Sequence, residues 1–306
     1  MKTTLRSALA ATMIALSIAS TGHAQSSPVS LTAPVPSLLI MPLRRPAQLT
    51  PSPASAMSFE LPVDAGLPAF SKNRMVVWGG LTATAGYLAY EQSQASWGLS
   101  NGQFHFKDDL HDGLAMSDET SHMFAAYHLT RALHTGYTWT GLSPTASRRM
   151  AAAHAWIWTF LVEYPIDAFN PTQGFGASDL LFNTAGVLAA YQQTRTGPRP
   201  WWDIKISVKS SFFKGENRFI AHSNEQYDDY VYWLTVRPTR HKYIPIWLGA
   251  GYSTTHGEWP QMDKELHLAV GTTIEDLAAV VSVDAARYLR PLNFFYLNLG
   301  TKIVWK

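Results

Sequence analysis

The spacing of apolar residues predicts four helices in the first two thirds of the chain. Apolar positions recur every three or four residues there, which is the period of a helix with one buried face. The first helix carries small residues at Gly79, Ala83 and Gly86, a spacing that favours close approach of another backbone. The third is apolar on every side, as in helices deep in a bundle or partly in lipid. The predicted helices cover 75–91, 117–135, 144–164 and 178–194.

After residue 200 the apolar period changes to two, which is the period of a strand. One more helix is expected near 274–288, capped by Thr273. The sequence therefore predicts an α+β fold: a four-helix core over 71–198, then a small C-terminal antiparallel sheet with one further helix over 199–306. The predicted strands lie near 203–209, 230–236, 244–252, 266–272 and 297–305.

Residues 1–24 have the features of a secretory signal peptide. Lys2 and Arg6 precede an apolar run, and "GHA" supplies the small residues after which a signal peptidase cuts. A membrane anchor is the alternative, but the run of about 13 residues is short against the roughly 20 of a spanning helix. Residues 25–70 hold nine of the 18 prolines and are predicted to be a disordered linker. We expect export to the periplasm or to the outer membrane.

The composition is that of a globular protein and excludes two kinds of chemistry. Among 306 residues 46% are hydrophobic and 15% charged, which is enough to bury a large core. The formal net charge is only +2 and no long basic run occurs, so we expect no nucleic-acid partner. The chain has no cysteine, which excludes disulfides, thiolate metal ligands and an acylated N-terminal cysteine.

The second helix places an acid and an imidazole on an apolar face. Asp118 and His122 are one turn apart, and Ala125, Leu129 and Ala132 are predicted to share their face. We therefore expect both polar side chains to point into the helical core.

The third and fourth helices show the same feature. Asp179 and Asn183 are also one turn apart on the fourth helix. Glu163 and Asp167 end the apolar third helix, where Pro165 should kink or end it near Tyr164. If the three helices pack together, these side chains converge. We call the six residues the polar cluster: Asp118, His122, Glu163, Asp167, Asp179 and Asn183.

Two interpretations of the polar cluster remain open. Asp118 and Asp179 each follow a serine at a helix start, where an acid is worth about 0.3–1 kcal/mol. Stabilisation of a helix start does not explain His122, Asn183 or Glu163, which are expected further inside. Because an unpaired buried carboxylate costs several kcal/mol, these groups should find a partner. The cluster is then either a structural polar network or a functional pocket.

In a functional pocket the cluster could work with or without a metal. His122, Glu163 and Asp179 are the expected ligands of a divalent ion such as Zn²⁺, Mn²⁺ or Mg²⁺, which would activate water against an ester or phosphoester. Without metal, a carboxylate beside His122 would form a general acid–base pair. Either suits a hydrolase or transferase acting on an envelope lipid or glycan precursor.

Several segments carry a family resemblance over roughly residues 95–255. "SDETSHMFAAYHLTR" is followed by the helix that ends in Glu163 and Asp167, and then by "GFGASDLLFNTAGVLAAYQ", "DYVYWLTVRP" and "IPIWLGAGY". In this order they resemble the YfiM-like periplasmic proteins, a family without an assigned reaction, and the helical part resembles the VanZ-like membrane proteins. The resemblance implies a VanZ-like four-helix core in an envelope protein. Glu119 stands where the family usually has lysine.

A second class of function is a non-catalytic envelope scaffold or membrane-associated interaction protein. In this case the polar cluster would only fix the helix packing, and the strands would present aromatic residues to membrane lipid or to an envelope protein. The alternative for these aromatics is that they fill the interface between sheet and helices. The residues concerned are Tyr230, Tyr232, Trp233 and Trp247.

Overall fold

The structure is a computed structural model, and it describes residues 68–108, 114–195, 200–214, 227–239, 244–256 and 262–305. The predicted signal peptide and the predicted linker as far as residue 67 lie outside the described residues. The described part contains seven helices and a five-stranded antiparallel sheet, so the α+β prediction is confirmed.

Four long helices form the first half of the described chain. They are α1 (Lys72–Trp97), α2 (Ser117–Trp139), α3 (Pro144–Leu161) and α4 (Ala177–Gln193). Serine side chains cap two of them, because Ser71 accepts from the backbone N–H of Arg74 and Ser143 from that of Ala146. None of the helices in the described ranges combines the length and apolar character needed to cross a bilayer.

The predicted break at Pro165 is confirmed. Helix α3 ends at Leu161 and continues as a π-helical turn, Val162–Asp167. Within this turn the backbone of Tyr164 is extended, with φ −145° and ψ 116°, since a residue before proline is sterically excluded from the helical region. Glu163 is nevertheless buried, and Asp167 is half-buried.

Two glycines on α2 and α4 allow the close helix contacts. A Cβ on Gly186 of α4 would lie 2.3 Å from the carbonyl oxygen of Met123 on α2, and one on Gly136 would lie 2.1 Å from the ring of Trp78. The expected approach at Gly79 and Ala83 is wrong, since both are exposed and no atom lies within 4 Å of a Cβ placed on Gly79. Helix α1 instead inserts the large Trp78 against a small residue of its neighbour.

The strands follow one another in the sheet in chain order and pair antiparallel throughout. A short helix α5 (Ser210–Lys214) follows β1. The helix predicted near 274–288 is two helices, α6 (Ile274–Val281) and α7 (Val283–Leu289), because Ser282 is extended and caps the second. The strands are β1 (Trp202–Val208), β2 (Tyr230–Val236), β3 (Trp247–His256), β4 (Met262–Thr272) and β5 (Leu297–Trp305).

Helix α2 packs on β1 and β2 through an apolar core. Phe124 and Tyr127 of α2 contact Ile204 and Ile206 of β1 and Tyr232 of β2 in one buried cluster. This packing holds the helices and the sheet together and orients the start of α2.

The aromatic residues of the strands fill buried layers. Trp233 and Trp247 are buried with Tyr296 in a second cluster, Tyr232 is buried against the helices, and Tyr230 is half-buried. The prediction that these rings form an exposed surface is therefore wrong. The alternative, that they fill the interface between sheet and helices, is confirmed for Tyr232, whereas Trp233 and Trp247 are buried on the other face of the sheet.

Candidate functional site

His122 lies at the centre of the polar cluster. Its Nε2 is 3.4 Å from Asp118 Oδ1 and 3.8 Å from Asp179 Oδ1. Its Nδ1 is 3.4 Å from Glu163 Oε1 and 3.1 Å from Asn183 Nδ2. One imidazole thus contacts polar side chains from α2, α4 and the π-helical turn, so the expected convergence occurs.

Asn183 connects two other members of the cluster. Its side-chain Nδ2 donates to Glu163 Oε1 at 3.0 Å and lies beside His122. The tight contact at Gly186, one turn further along α4, brings this part of α4 against α2. The apolar face predicted for α4 is buried as expected, including Gly186 and Ala190.

The face predicted for α2 is only partly correct. Asp118 is buried and His122 half-buried, but Ala125 is exposed and Leu129 and Ala132 are only half-buried. Because α2 packs on helices on one side and on the sheet on another, its buried residues cover a wider arc than a single stripe. They include Phe124, Ala126, Tyr127, Thr130 and Leu133.

Two residues that sequence reasoning missed complete the site. Lys107 Nζ is 2.7 Å from Asp118 Oδ2 and 3.6 Å from Asp179 Oδ2. The hydroxyl of Tyr227 donates to Asp118 Oδ1 at 2.7 Å. Lys107 lies in an irregular segment without periodicity, held beside α4 by a parallel bridge between Phe106 and Phe175, so no spacing rule could have found it.

Glu119, which stands where the family resemblance has lysine, is also buried next to the cluster. Its side chain is 1% exposed, and its Oε1 accepts from Ser178 at 3.1 Å. Its Oε2 has no hydrogen-bond partner among the described residues. The cation close to Asp118 is supplied by Lys107, from a different part of the chain.

Asp167 lies at the edge of the polar cluster. No ion pair or side-chain hydrogen bond of its carboxyl group is found within the described ranges, and its Oδ1 is buried without a partner. The backbone carbonyl of Asp167 accepts from Asn170 and Gly174, which fixes the turn that follows. The charge of Asp167 is one of the causes that raise the pKa of Glu163, after burial.

Burial and charge divide the titrating groups into two sets. Burial by itself would raise the pKa of Asp118, but His122 and Lys107 outweigh burial and hold this pKa well below its usual range. Burial would lower the pKa of His122, but Asp118, Asp179 and Glu163 raise it well above its usual range. An ion pair of the Asp118 carboxylate and the His122 imidazolium is therefore the form that these side chains favour among themselves.

The other carboxyl groups are shifted in the opposite direction. Burial, reinforced by neighbouring carboxylates, raises the pKa of Glu163 to about 8. Burial likewise raises the pKa of Asp167 to about 7 and that of Glu119 to about 7. Near neutral pH these three groups are therefore protonated in a large part of the molecules, and a further positive charge would favour their ionised forms.

Three residues of the site could hold a metal ion. Asp118, His122 and Asp179 each offer one ligand atom, and these atoms lie within 4.8 Å of one another. This set differs from the predicted ligands, because Glu163 contacts Nδ1 of His122 while the two aspartates lie near Nε2. A carboxylate on the second ring nitrogen is the usual means of orienting a metal-bound histidine.

Comparison of the chain with models of known protein families, with curated proteins and with solved structures finds no match. The resemblance to the YfiM-like and VanZ-like families therefore stays a prediction. What the site can do has to be argued from its own residues.

Proposed function

We propose that this protein is an exported cell-envelope hydrolase or transferase that acts on an envelope lipid or glycan precursor. The observation that carries the proposal is the metal-compatible triad of Asp118, His122 and Asp179 in a largely enclosed site. One imidazole and two carboxylates suit Zn²⁺ or Mn²⁺. A divalent ion bound there would polarise an ester or phosphoester and lower the pKa of a bound water.

The balance of charge around the triad supports a cation site. Carboxyl groups outnumber the cationic side chains, which within the described residues of the site are Lys107 and His122. Lys107 and His122 balance the charges of Asp118 and Asp179, while burial favours the protonated form of the other carboxyl groups. A divalent ion would supply the further positive charge that lets these groups ionise. Binding would release the proton of the imidazole, as metal binding to histidine does. The carboxyl groups belong to Asp118, Glu119, Glu163, Asp167 and Asp179.

The remaining members of the cluster have distinct roles in this proposal. Glu163 and Asn183 contact Nδ1 of His122 and hold the ring so that Nε2 faces the two aspartates. Lys107 lies beside the carboxylates of Asp118 and Asp179, so its ammonium group is placed to bind an anionic group of the substrate. The buried Oδ1 of Asp167 is the acceptor that can take a proton from the attacking nucleophile.

Metal content of the purified, membrane-extracted full chain tests the site. We expect the wild type to retain zinc or manganese, and His122→Gln and Asp179→Asn to lose it. Glu163→Gln should weaken metal affinity by about 10–100-fold, because it only orients a ligand. The matched control is His154→Gln, a half-buried histidine that contacts Tyr137 instead of the cluster and should retain the metal. Equal metal content in all variants, or none in the wild type, contradicts the site.

Hydrolysis is measured separately on metal-loaded protein with a chromogenic phosphodiester, a chromogenic ester and glycerophospholipid vesicles. Asp167→Asn is expected to keep the metal and lose turnover, because it removes the acceptor without removing a ligand. A metal-loaded wild type that cleaves none of the three would leave the metal site in place and refute the hydrolase.

A second candidate function is a non-catalytic scaffold, and one observation favours it. Lys107, 11 residues before Asp118, and Tyr227, 109 residues after it, both donate hydrogen bonds to the Asp118 carboxylate. These bonds hold two further segments of the chain against the start of α2, as a structural polar network would. In that case no metal binds, and Asp118→Asn lowers the free energy of unfolding without any loss of ligand binding.

A further inference from the structure

The five-stranded sheet has apolar side chains on one face and its buried charged side chains on the other. Helix α2 covers the apolar face at Ile204, Ile206 and Tyr232, but the rest of this face, from Leu234 across to β5, is exposed. Lys205 and Asp203 on β1 and Glu265 on β4 are each 0% exposed. On the other face Leu268 is 52% exposed and Leu299 is 87% exposed. In water an antiparallel sheet normally buries the apolar face and solvates the polar one. Beyond the part that α2 covers, this sheet exposes its apolar face instead.

The exposed leucines form one continuous surface across four strands. The register pairs Leu234 of β2 with Ala250 of β3, Ala250 with Leu268 of β4, and Leu268 with Thr301 of β5. The paired residues on either side of this row are also mostly apolar. Thr301 is the polar residue of the row. We call this surface the apolar sheet face: Leu234, Val236, Leu248, Leu266, Leu268, Val270, Leu299 and Ile303.

The charged side chains that are buried on the opposite face have partners of opposite charge or hydrogen-bond acceptors. Lys205 Nζ donates to Asp203 Oδ2 at 2.9 Å and to the carbonyl of Asn293 at 2.8 Å. At the other end Glu265 contacts Lys209 Nζ at 2.7 Å. These buried charges are paired, as burial of charge requires.

We propose that the apolar sheet face lies against the hydrocarbon of a lipid bilayer. Exposed apolar patches of this breadth are rare on proteins that live entirely in water, and they mark a contact surface. The inference stands apart from the proposed reaction, because it rests on the sheet and on none of the cluster residues.

The height of the surface fits one leaflet of a bilayer. From Leu266 to Val270 the strand rises four residues, about 13 Å at about 3.3 Å per residue, against roughly 15 Å for half of the hydrocarbon core. At one end of this band Lys264 and Trp305 lie opposite each other in the register. Lysine and tryptophan are the side chains that favour the interface between hydrocarbon and water.

A groove connects the apolar sheet face with the helices. It has a volume of about 290 Å³ and is lined by Met116 and Thr120 of the α2 region, Phe182 of α4, and Tyr252 and Lys264 of the sheet. Tyr252 pairs with Leu266 of the apolar sheet face. With the face in a leaflet, the groove lies at the level of the lipid headgroups.

The absence of cysteine allows a direct test. Leu268→Cys, Leu299→Cys and Val281→Cys each receive a nitroxide label in the full chain, reconstituted into phosphatidylethanolamine and phosphatidylglycerol vesicles. Val281 on α6 is the matched control, since it is 88% exposed and Leu299 is 87% exposed. We expect labels at 268 and 299 to collide with oxygen more than with a water-soluble nickel chelate, and the label at 281 to show the reverse.

Two results would overturn the proposal. Labels at 268 and 299 that are as accessible to nickel as the label at 281 mean that the face is in water. Labels there that are shielded from both reagents mean that protein covers the face, either a second copy or another segment of this chain. Far-UV circular dichroism of each labelled variant, compared with the wild type, shows that the fold is retained.

Discussion

The close approach of α2 and α4 at Gly186 makes a prediction with an internal control. Gly186→Ala places a Cβ 2.3 Å from the backbone oxygen of Met123 and 3.1 Å from the Cβ of Ala126. A backbone oxygen cannot rotate away, so the two helices must separate. Gly79→Ala makes the same chemical change in α1, where no atom lies within 4 Å of the new Cβ.

The magnitude follows from comparing the two variants. Glycine to alanine inside a helix gains about 0.5–1 kcal/mol from reduced chain entropy, and both variants share this gain. Overpacking costs about 1–3 kcal/mol, and only Gly186→Ala bears this cost. The difference in free energy of unfolding between the two variants is therefore expected to be about 1–3 kcal/mol. Gly79→Ala should be more stable than the wild type.

Urea denaturation of the full chain, followed by circular dichroism, measures this difference, and a thermal melt should shift by about 2–4 °C per kcal/mol. Separation of α2 from α4 should also lengthen the contact between His122 and Asn183, so Gly186→Ala should weaken any metal binding. If Gly186→Ala is as stable as Gly79→Ala, the helices are not in the contact described, and the positioning of the cluster by Gly186 is refuted.

Two further predictions concern buried charges outside the polar cluster. Burial lowers the pKa of His128 to about 3, below its unfolded value of about 6.5, so as pH falls the unfolded chain takes up a proton that the folded protein does not. Between pH 7 and pH 5 the wild type should therefore lose about 2 kcal/mol more of its unfolding free energy than His128→Gln in urea titrations, and equal losses would contradict this. Asp203→Ala leaves the buried Lys205 and the nearby Arg131 without their carboxylate and should lower the free energy of unfolding by about 3–5 kcal/mol. The control Asp284→Ala removes an exposed ion pair and should lower it by less than about 1 kcal/mol. Similar losses for the two variants in urea denaturation would refute the reasoning.

The helical part of the fold was largely predictable because its signal is local. One-turn spacing placed Asp118 with His122 and Asp179 with Asn183, and Pro165 marked the end of α3. The triad of Asp118, His122 and Asp179 was harder to predict, because the packing of several helices decides which carboxylates face Nε2 of His122. Lys107 could not be predicted, because its place depends on a single bridge between Phe106 and Phe175 and on no period of its own.

The sheet shows a different limit of sequence patterns. Alternation separates the side chains of a strand into two sets. It predicted β1, β4 and β5, while aromatic and β-branched runs predicted β2 and β3. Alternation does not say which set is buried. The usual preference for apolar burial would place Leu268 inside and Glu265 at the surface, but the structure has the reverse arrangement, with Glu265 paired inside the fold. Only the three-dimensional neighbours of each residue decide between the two faces.

The order of the strands has a consequence for how the chain reaches its structure. Each strand pairs with the strand before it in sequence, so the sheet can grow by one neighbouring strand at a time. Strand β1 is anchored on α2, and strand β5 joins last, at an edge where most of its residues are exposed. Folding can thus proceed from the helices outward, and β5 is the strand most readily released again.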